Sequence, residues 1–224
     1  MEESRVYLGI PTHDRRLDQG TAWATHTTGL KLGETLGLCI KARSLLCVNF
    51  NELLCEAVNE KKYTHFCLLH ADICPQGKDW LVRMLDIMKR EKVNVLSVVS
   101  PIKDEHRRTS CSLGDENGVK ALYFKDLEDM PRTFGRKDCE KKFGNKNLYF
   151  NTGCLMIRLK GFDPVKACFQ MADGVTDVDG WKCVRNLPED WLFSVKCMQL
   201  AIPYAVTTEI EIEHVGGGVW GNQP

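Results

Sequence analysis

Three apolar runs alternate with helix-like segments in the first half of the chain, and this alternation predicts the fold class. Residues 5–10, 64–70 and 93–101 read RVYLGI, THFCLLH and VNVLSVVSP, and runs of this kind are typical of strands buried on both faces of a parallel sheet. Residues 49–62 and 77–92 lie between them and place apolar side chains at helical spacing. The order strand, helix, strand, helix, strand predicts an α/β domain with a largely parallel sheet.

The rest of the chain is less regular. Residues 21–36 favour a helix in spite of two glycines, and residues 103–147 are polar and interrupted by glycines, which indicates an irregular excursion. We expect a single domain over 1–224. The remaining predicted elements are a strand over 148–159, a short helix over 163–172, a helix over 188–201 and one or two strands over 204–221.

Composition and charge exclude several classes of protein. The 224 residues are 43% hydrophobic and 27% charged, and 30 basic residues balance 30 acidic ones, so a generally basic nucleic-acid binder is not indicated. No apolar run approaches the length of a membrane span, and the acidic start does not resemble a signal peptide, so we expect a cytoplasmic protein. The eleven cysteines form no C-x-x-C pair, which favours buried free thiols over a structural zinc site.

Residues that could bind a ligand or take part in catalysis lie at predicted strand ends and at one helix start. Open α/β sheets bind ligands at the carboxyl ends of their strands, so these positions are candidates for one common rim. The residues are Pro11, Thr12 and Asp14 after the first strand, His70, Ala71 and Asp72 after the most apolar strand, Glu189 and Asp190 at a helix start, and His214 before three glycines.

Four segments, in this order, resemble the glycosyltransferases of the GT-A fold, especially the small bacterial and bacteriophage-type enzymes. They read YLGIPT, THFCLLHADICP, YFNTGCLMIR, and PEDWLFSVKCMQLAIPYAV followed by EHVG, and together they span nearly the whole chain. The resemblance implies a single Rossmann-like GT-A domain with a mostly parallel mixed sheet flanked by helices. It also implies transfer of a sugar from a nucleotide-diphosphate sugar to a hydroxyl group. Residues 1–102 would then bind the donor and residues 148–224 the acceptor.

The resemblance also implies a divalent cation, with one departure from the family pattern. The family carries Asp-x-Asp where this chain has His70-Ala71-Asp72. Asp72 is expected to bind the cation that neutralises the diphosphate, with His214 as a second ligand and His70 as a further candidate. Imidazole is a poor ligand for Mg²⁺, so Mn²⁺ is favoured and Mg²⁺ is the alternative.

The remaining site residues follow from the same resemblance. Asp190 is expected to be the general base of an inverting transfer, with Glu189 as the second choice, and the helix N-terminus is expected to keep Asp190 ionised. Gly216, Gly217 and Gly218 would let the backbone approach the phosphates. Donor-side candidates are Pro11, Thr12, Asp14, Asn51, His70, Ala71 and Asp72. Acceptor-side candidates are Asn151, Gly153, Trp191 and Trp220.

Alternative interpretations remain open at this level. A nucleotidyltransferase also combines an α/β sheet with a metal, but GIPTHDRRLDQG lacks the glycine density of a triphosphate-binding loop. A non-catalytic sugar-nucleotide-binding module would explain the altered His70 triplet as lost chemistry. The acceptor is a glycan or, as a minority hypothesis, a modified base in DNA. A basic stretch would face that DNA or would simply be a solvated loop, and its members are Arg132, Arg136, Lys137, Lys141, Lys142 and Lys146.

Overall fold

A mixed seven-stranded sheet dominates the described part of the chain. The computed structural model describes residues 3–115, 118–144, 146–178, 180–216 and 218–222. In chain order the elements are β1 (Val6–Thr12), α1 (Gln19–Leu32), β2 (Leu36–Ala42), α2 (Leu46–Asn59), β3 (His65–Leu69), β4 (Ile73–Pro75), α3 (Trp80–Glu91), β5 (Val95–Val98), β6 (Arg108–Asp115), β7 (Gly118–Tyr123), α4 (Phe124–Leu127), β8 (Thr133–Phe134), α5 (Arg136–Phe143), β9 (Asn147–Tyr149), β10 (Cys154–Arg158), β11 (Ala172–Val178), β12 (Trp181–Leu187), α6 (Glu189–Gln199), β13 (Tyr204–Thr207), β14 (Ile212–Val215) and β15 (Val219–Gly221).

The strand order in the main sheet is β2-β1-β3-β10-β5-β13-β8. Strand β1 pairs in parallel with β2 and β3, and β13 pairs in parallel with β5. Strand β10 runs antiparallel between β3 and β5, and β8 runs antiparallel on the edge beside β13. The predicted α/β class, with a mostly parallel mixed sheet flanked by helices, is confirmed.

The central strands are apolar throughout because both faces of the sheet are covered. In β3, Phe66 and Leu68 pack into one buried cluster with α2 and α6, whereas Cys67 and Leu69 pack into the other with α3. Helix α3 presents Trp80 and the turns that follow it to that second cluster, and Lys92, in the left-handed conformation, terminates it. The sheet therefore forms a rigid platform whose strand ends hold the loops in place.

The prediction of an irregular excursion over 103–147 is wrong. Strands β7, β6 and β9 form an antiparallel sheet of their own, and the segment also contains α4, β8 and α5. In β6 the buried residues are Thr109, Cys111, Ser112, Leu113 and Gly114, a set with little apolar character and no clear alternation. Much of the basic stretch lies on α5, where Arg136 pairs with Glu140.

Three further predictions need correction. The strand expected over 148–159 is broken into β9 and β10 by residues 150–153. The expected helix over 163–172 is a series of turns, and residues 172–187 form the hairpin β11–β12, which pairs only with itself. Helix α1 begins at Gln19 and ends at Leu32, where Gly33, with φ of 54°, terminates it.

A second small sheet brings the C-terminal segment back to the main sheet. Strand β14 pairs antiparallel with both β4 and β15, so that His214 lies opposite Ile73. Strand β4 is a three-residue element directly after the His70 triplet and was not predicted. This pairing joins the end of β3 to the C-terminal segment of the chain.

Two expectations from composition can be compared with the described residues. All eleven cysteines lie in the described part of the chain and are free thiols; six are buried, as predicted, whereas three are partly buried and Cys55 and Cys183 are exposed. Among the described helices, none has the length and apolar character needed to cross a bilayer.

Candidate functional site

The candidate metal ligands meet at the carboxyl edge of the main sheet. Residues 70–72 turn from β3 into β4, and the Val215 amide donates to the Asp72 carbonyl oxygen at 2.9 Å. This backbone pairing brings the Asp72 Oδ2 atom to 3.5 Å from the His214 Nε2 atom. Two side chains that are 142 positions apart in sequence therefore lie next to each other because β4 and β14 pair.

The hydrogen bonding of His214 determines which ring nitrogen faces Asp72. Its Nδ1 atom lies 2.8 Å from the Pro101 carbonyl oxygen. A carbonyl oxygen only accepts, so Nδ1 must carry the proton and donate it. In the neutral ring the lone pair is then on Nε2, which faces Asp72. This tautomer is the one that a metal-binding histidine needs, with the second nitrogen held by a backbone carbonyl.

Lys103 shares the Asp72 carboxylate. Its Nζ atom lies 2.5 Å from Asp72 Oδ2. Burial acts to raise the pKa of Asp72, but the hydrogen bond and charge of Lys103, joined by those of His214 when its Nε2 atom also carries a proton, outweigh burial and hold the pKa well below its ordinary value. Gly216, with φ of 150°, makes room for the lysine, because a Cβ atom there would lie 2.7 Å from Nζ. Gly217, the next glycine of the predicted phosphate loop, lies outside the described residues.

His70 lies near this cluster, because the charges of Asp72, His214 and Lys103 all act on it. Its Nε2 atom is buried and has no hydrogen-bond partner among the described residues, and its ring centroid lies 5.2 Å from that of Phe50. Burial, opposed by the nearby Asp72 carboxylate, lowers the pKa of His70 to about 4, so the ring is neutral at pH 7. A neutral imidazole with an unused buried nitrogen is available to bind a ligand atom.

Asp72 and His214 fit a cation that takes its remaining ligands from a bound molecule and from water. Asp72 Oδ2 and His214 Nε2, 3.5 Å apart, are close enough for one cation to contact both at about 2.1 Å. Within the described ranges, no group of three or more His, Cys, Asp or Glu side chains could hold a metal. Phosphate oxygens and water would have to supply the other positions, as is usual for cations bound with nucleotides.

Glu189 and Asp190 open α6 as predicted, but the charge state of Asp190 differs from the expectation. Its Oδ1 atom accepts a hydrogen bond from the Trp191 amide at 2.7 Å. Burial and the neighbouring Glu189 carboxylate nevertheless raise the pKa of Asp190 to about 7, and the helix-start amides offset this only in part. The expectation that the helix N-terminus keeps Asp190 fully ionised is therefore wrong.

A short chain of contacts links the acidic pair to the metal cluster. The Thr152 hydroxyl donates to Glu189 Oε1 at 3.4 Å. The next residue, Gly153, accepts a hydrogen bond from the His70 amide through its carbonyl oxygen at 2.8 Å. Residues 150–153, between β9 and β10, thus lie between the two groups of candidate residues.

The predicted donor-side residues lie at the end of β1 and on α2. Pro11 and Thr12 are buried in β1, and the Thr12 hydroxyl donates to the Arg16 carbonyl oxygen at 3.1 Å. Asp14 is exposed and pairs with Arg16 at 3.5 Å. Ala71, in the turn before β4, accepts the Asp18 amide at 2.8 Å.

Asn51 is placed differently from the other donor-side candidates. It lies inside α2 and not at its start. Its side chain exchanges two hydrogen bonds with the backbone of Phe169, both at 2.8 Å. The side chain therefore anchors the segment around Phe169 to α2.

The predicted acceptor-side residues divide into a structural pair and two aromatic rings. The Asn151 side chain is buried, and it donates to the Val98 carbonyl oxygen and accepts the Gly153 amide, both at 2.9 Å. The Trp191 ring lies 5.8 Å from that of Tyr149. Trp220 lies opposite His214 in the β14–β15 pair and is half-buried.

Lys103 is the residue of this cluster that sequence reasoning missed. It follows Pro101 at the end of β5, so the strand-end rule that selected Asp72 would also have selected it. The polar segment that begins there was interpreted as an irregular excursion, and that interpretation hid the lysine.

No protein-family model and no curated protein sequence matches this chain. Among solved structures, A197 from STIV is similar, with a TM-score of 0.57 and 14% identity over 95% of this chain and 86% of that chain. A complex of S. aureus TarS (residues 1–349) with UDP-GlcNAc gives a TM-score of 0.43 and 10% identity over 92% of this chain and 56% of that one. A putative glucose-1-phosphate thymidylyltransferase from Bacillus anthracis, in complex with a sucrose, gives 0.48 and 7% identity over 95% and 89%.

At these identities the similarity concerns the fold. The A197 match extends over almost the whole chain, and together with the strand order it confirms the α/β fold class. The other two TM-scores are below 0.5 and add no support. The function must therefore be argued from the residues of the site.

Proposed function

We propose that this protein is a metal-dependent glycosyltransferase that moves a sugar from a nucleotide-diphosphate sugar to a hydroxyl group, with inversion. The observation that carries the proposal is the cluster of Asp72, His214 and Lys103 at the carboxyl edge of the sheet. Such an edge is where open α/β folds bind nucleotides. A carboxylate, an imidazole and an ammonium group in one place suit a diphosphate with its cation.

Asp72 and His214 would hold the cation, with Mn²⁺ preferred over Mg²⁺ because one ligand is an imidazole. The cation supplies neutralisation of the charge that develops on the departing diphosphate. Lys103 would release Asp72 when the cation binds and would donate to a phosphate oxygen. His70 is near enough for the charges of Asp72, His214 and Lys103 to act on it, and its unpartnered Nε2 atom would contact the donor or the cation.

Asp190 would be the general base. A carboxyl group with a pKa of about 7 takes up a proton near neutral pH more readily than an ordinary aspartate does. In the transfer, the acceptor hydroxyl would give its proton to Asp190 while its oxygen bonds to the anomeric carbon. The bond from that carbon to the diphosphate oxygen would break, and its electron pair would leave with the diphosphate.

A thermal-shift panel tests the donor and metal part of this proposal. UDP, GDP, ADP, CDP and TDP would each be added with and without Mn²⁺. A ligand at one hundred times its dissociation constant stabilises the folded state by about 2.7 kcal/mol, which corresponds to a rise in melting temperature of roughly 5–10 °C for a chain of this size. We expect at least one diphosphate to give such a rise with Mn²⁺ and to lose it in EDTA.

A matched pair of variants assigns the effect to Asp72. Asp72→Asn should remove the Mn²⁺-dependent rise. Asp129→Asn, in which the replaced side chain is 93% exposed and lies 4.0 Å from Lys142, should retain it. A panel in which no diphosphate responds to Mn²⁺ would reject the proposed function.

A further inference from the structure

A basic cavity lies beside the candidate metal cluster. Its volume is about 800 Å³, and its walls come from the loop after β5, the junction of β7 and α4, the start of β8 and the end of β13. Its basic and aromatic lining residues are His106, Arg107, Tyr123, Phe124, Lys125 and Arg132.

The cavity and the metal cluster share two structural supports. The loop 101–107 provides Lys103 and the carbonyl oxygen of Pro101 to the metal cluster, and its last two residues line the cavity. The second support is Asn222, which lines the cavity, donates to the Val99 carbonyl oxygen at 3.2 Å and accepts the Ile212 amide at 2.9 Å. It thereby joins the end of β5 to the strand that carries His214.

The position of the cavity in the sheet separates it from the predicted donor side. The predicted donor residues follow β1 and β3, whereas the cavity lies at the ends of β5 and β13 and the start of β8, on the other side of β10. A molecule in the cavity would therefore approach the metal cluster from the half of the sheet opposite the donor.

The lining is strongly cationic, although the whole chain has no net charge. Arg107, Lys125 and Arg132 face the cavity together with a single carboxylate, Glu128. Neither Lys125 nor Arg132 has an ion-pair partner within the described ranges. Arg132 donates to the Thr208 carbonyl oxygen at 3.0 Å, which fixes its guanidinium at the cavity wall.

Two aromatic rings keep the other cations near the wall. The Arg107 guanidinium lies 5.5 Å from the Phe124 ring centroid, and Lys125 Nζ lies 5.3 Å from the Tyr123 ring centroid. Guanidinium groups form paired hydrogen bonds with phosphate oxygens, and lysine adds a compact positive charge. A site for a neutral glycan would gain little from three such cations.

We propose that this cavity binds a phosphate group of the acceptor, so that the substrate class is a phosphorylated hydroxyl compound. The assignment of this phosphate to the acceptor rests on the proposed function, whereas the phosphate site itself rests only on the cavity. The phosphate could belong to a small phosphorylated alcohol or to a nucleic-acid backbone, and these two sources offer the same chemistry to the cations.

Binding in EDTA, without donor, tests the phosphate site on the full chain. The probes are glycerol 3-phosphate, glycerol and single-stranded hexathymidylate, measured by isothermal titration calorimetry at low ionic strength. We expect at least one phosphate-bearing probe to bind and glycerol not to bind. The double variant Lys125→Gln/Arg132→Gln should weaken binding about tenfold or more, because each lost charge-assisted hydrogen bond is worth about a factor of ten.

The chain offers a matched control at the opposite edge of the sheet. Arg158 and Lys160 line a second basic cavity of about 880 Å³, near the start of β3. Arg158→Gln/Lys160→Gln removes the same two charges, one arginine and one lysine, and should leave phosphate binding unchanged. If both double variants weaken binding equally, or if neither does, the cavity site is rejected. If Lys125→Gln/Arg132→Gln melts early, Lys125→Gln alone should still weaken binding severalfold, and an unchanged affinity would overturn the proposal.

The outcomes separate this inference from the proposed function. Binding of glycerol 3-phosphate that responds to the cavity variant supports a small phosphorylated acceptor, and a response confined to hexathymidylate supports a nucleic-acid backbone. A cavity-dependent phosphate signal in a protein that ignores every nucleoside diphosphate would overturn the acceptor role while leaving an anion site. A diphosphate response to Mn²⁺ with no cavity-dependent phosphate binding would overturn the inference alone.

Discussion

The Asp190 carboxyl group shows how burial and local hydrogen bonds compete at one residue. The helix-start amides favour its ionised form, whereas burial and the Glu189 carboxylate favour its neutral form. The second influence is larger and raises the pKa to about 7 from an ordinary value of 3.8. A protein that keeps such a carboxyl group accepts a loss of stability, and this is common where a proton must be transferred near pH 7.

The shifted pKa of Asp190 predicts a pH-dependent difference in stability. Between about pH 4 and pH 7 the folded state holds a proton that the unfolded state has released, so the free energy of unfolding falls as pH rises through this window. Above pH 7 both states are ionised and the loss is constant. Asp190→Asn lacks the titration, so its melting temperature should exceed that of the wild type by several degrees at pH 8 and by little at pH 4.

Glu189→Gln is the matched control for this measurement. It removes the neighbouring carboxylate and should reduce the pH effect without abolishing it, because burial is the larger cause of the shift. Melting curves of the three proteins from pH 4 to pH 8 would decide the question. A constant difference between wild type and Asp190→Asn across that range would contradict the raised pKa.

The position of Lys103 predicts that the candidate site binds a metal ion weakly when no nucleotide is present. Its ammonium group lies 2.5 Å from Asp72 Oδ2 and must withdraw before a cation binds there. Lys103→Gln removes both the competitor and a like charge, so Mn²⁺ should bind about tenfold tighter or more, measured by paramagnetic resonance or calorimetry. Lys92→Gln, at the opposite edge of the sheet, should bind Mn²⁺ as the wild type does. Equal affinity in the wild type and Lys103→Gln would show that the lysine does not compete.

Those residues of the candidate metal cluster that directly follow an apolar strand could be predicted from the sequence. The strand before His70 and Asp72 is fully apolar, so its end could be located and assigned to the ligand-binding edge. The meeting of Asp72 with His214 depends on β4, a strand of three residues whose pairing is long-range. The pKa of Asp190 depends on burial by distant segments, which no local pattern reports.

At the scale of elements, the close packing of β6 on β9 has consequences for the candidate acceptor side. Gly114 in β6 lies opposite Asn147 in β9, and a Cβ atom at Gly114 would overlap the Tyr149 ring. That ring packs on Trp191 at the start of α6. The glycine is therefore needed to hold β9, the aromatic pair and the start of α6 together.

Gly114→Ala should consequently destabilise the protein by about 1–3 kcal/mol, the usual cost of inserting a methyl group into a packed region. Gly174→Ala is the matched control, because no atom lies within 4 Å of a Cβ atom there and the strand is exposed. Urea unfolding of both variants measures the difference. Equal stability of the two would show that β6 and β9 tolerate the methyl group and that Tyr149 moves freely.

The elements that were predicted well share one property, namely long apolar runs or strong helical periodicity. Helices α2, α3 and α6 and strands β1, β3 and β5 belong to this class. The sheet of β7, β6 and β9 was missed because the buried residues of β6 include threonine, serine and cysteine as well as leucine. Local patterns report burial only where the buried side chains are strongly apolar.

At the scale of the whole molecule, the sheet edge divides into two sides around β10. The ends of β1 and β3 carry the predicted donor residues, and the ends of β5 and β13 and the start of β8 carry the basic cavity. The cluster of Asp72, His214 and Lys103 draws on both sides, because β14 and the loop after β5 converge on the end of β3. In the proposed transferase, this arrangement would give a donor and an acceptor separate approaches to one reaction centre.

The hairpin β11–β12 lies outside this organisation, and its removal is a test of the whole fold. It pairs only with itself, exposes Trp181 by 78%, and contributes none of the described residues to either buried cluster. Gly174 pairs with Arg185 across the hairpin, so an Asn-Gly turn can replace residues 175–184 without straining the ends. We expect the shortened protein to unfold cooperatively within about 2 °C of the wild type, since exposed positions contribute little to stability.

Phe193→Ala provides the contrast, because Phe193 is fully buried and stacks on Phe169 at 4.5 Å. Its loss should cost about 3–5 kcal/mol and lower the melting temperature by roughly 10 °C. If shortening the hairpin lowered the melting temperature as much as Phe193→Ala does, the hairpin would belong to the core and the separation would be wrong. If only the diphosphate response disappeared, the exposed hairpin would instead contribute to the donor site. The burial pattern argues against the first result, because an element that adds no described side chain to either buried cluster has little stability to contribute.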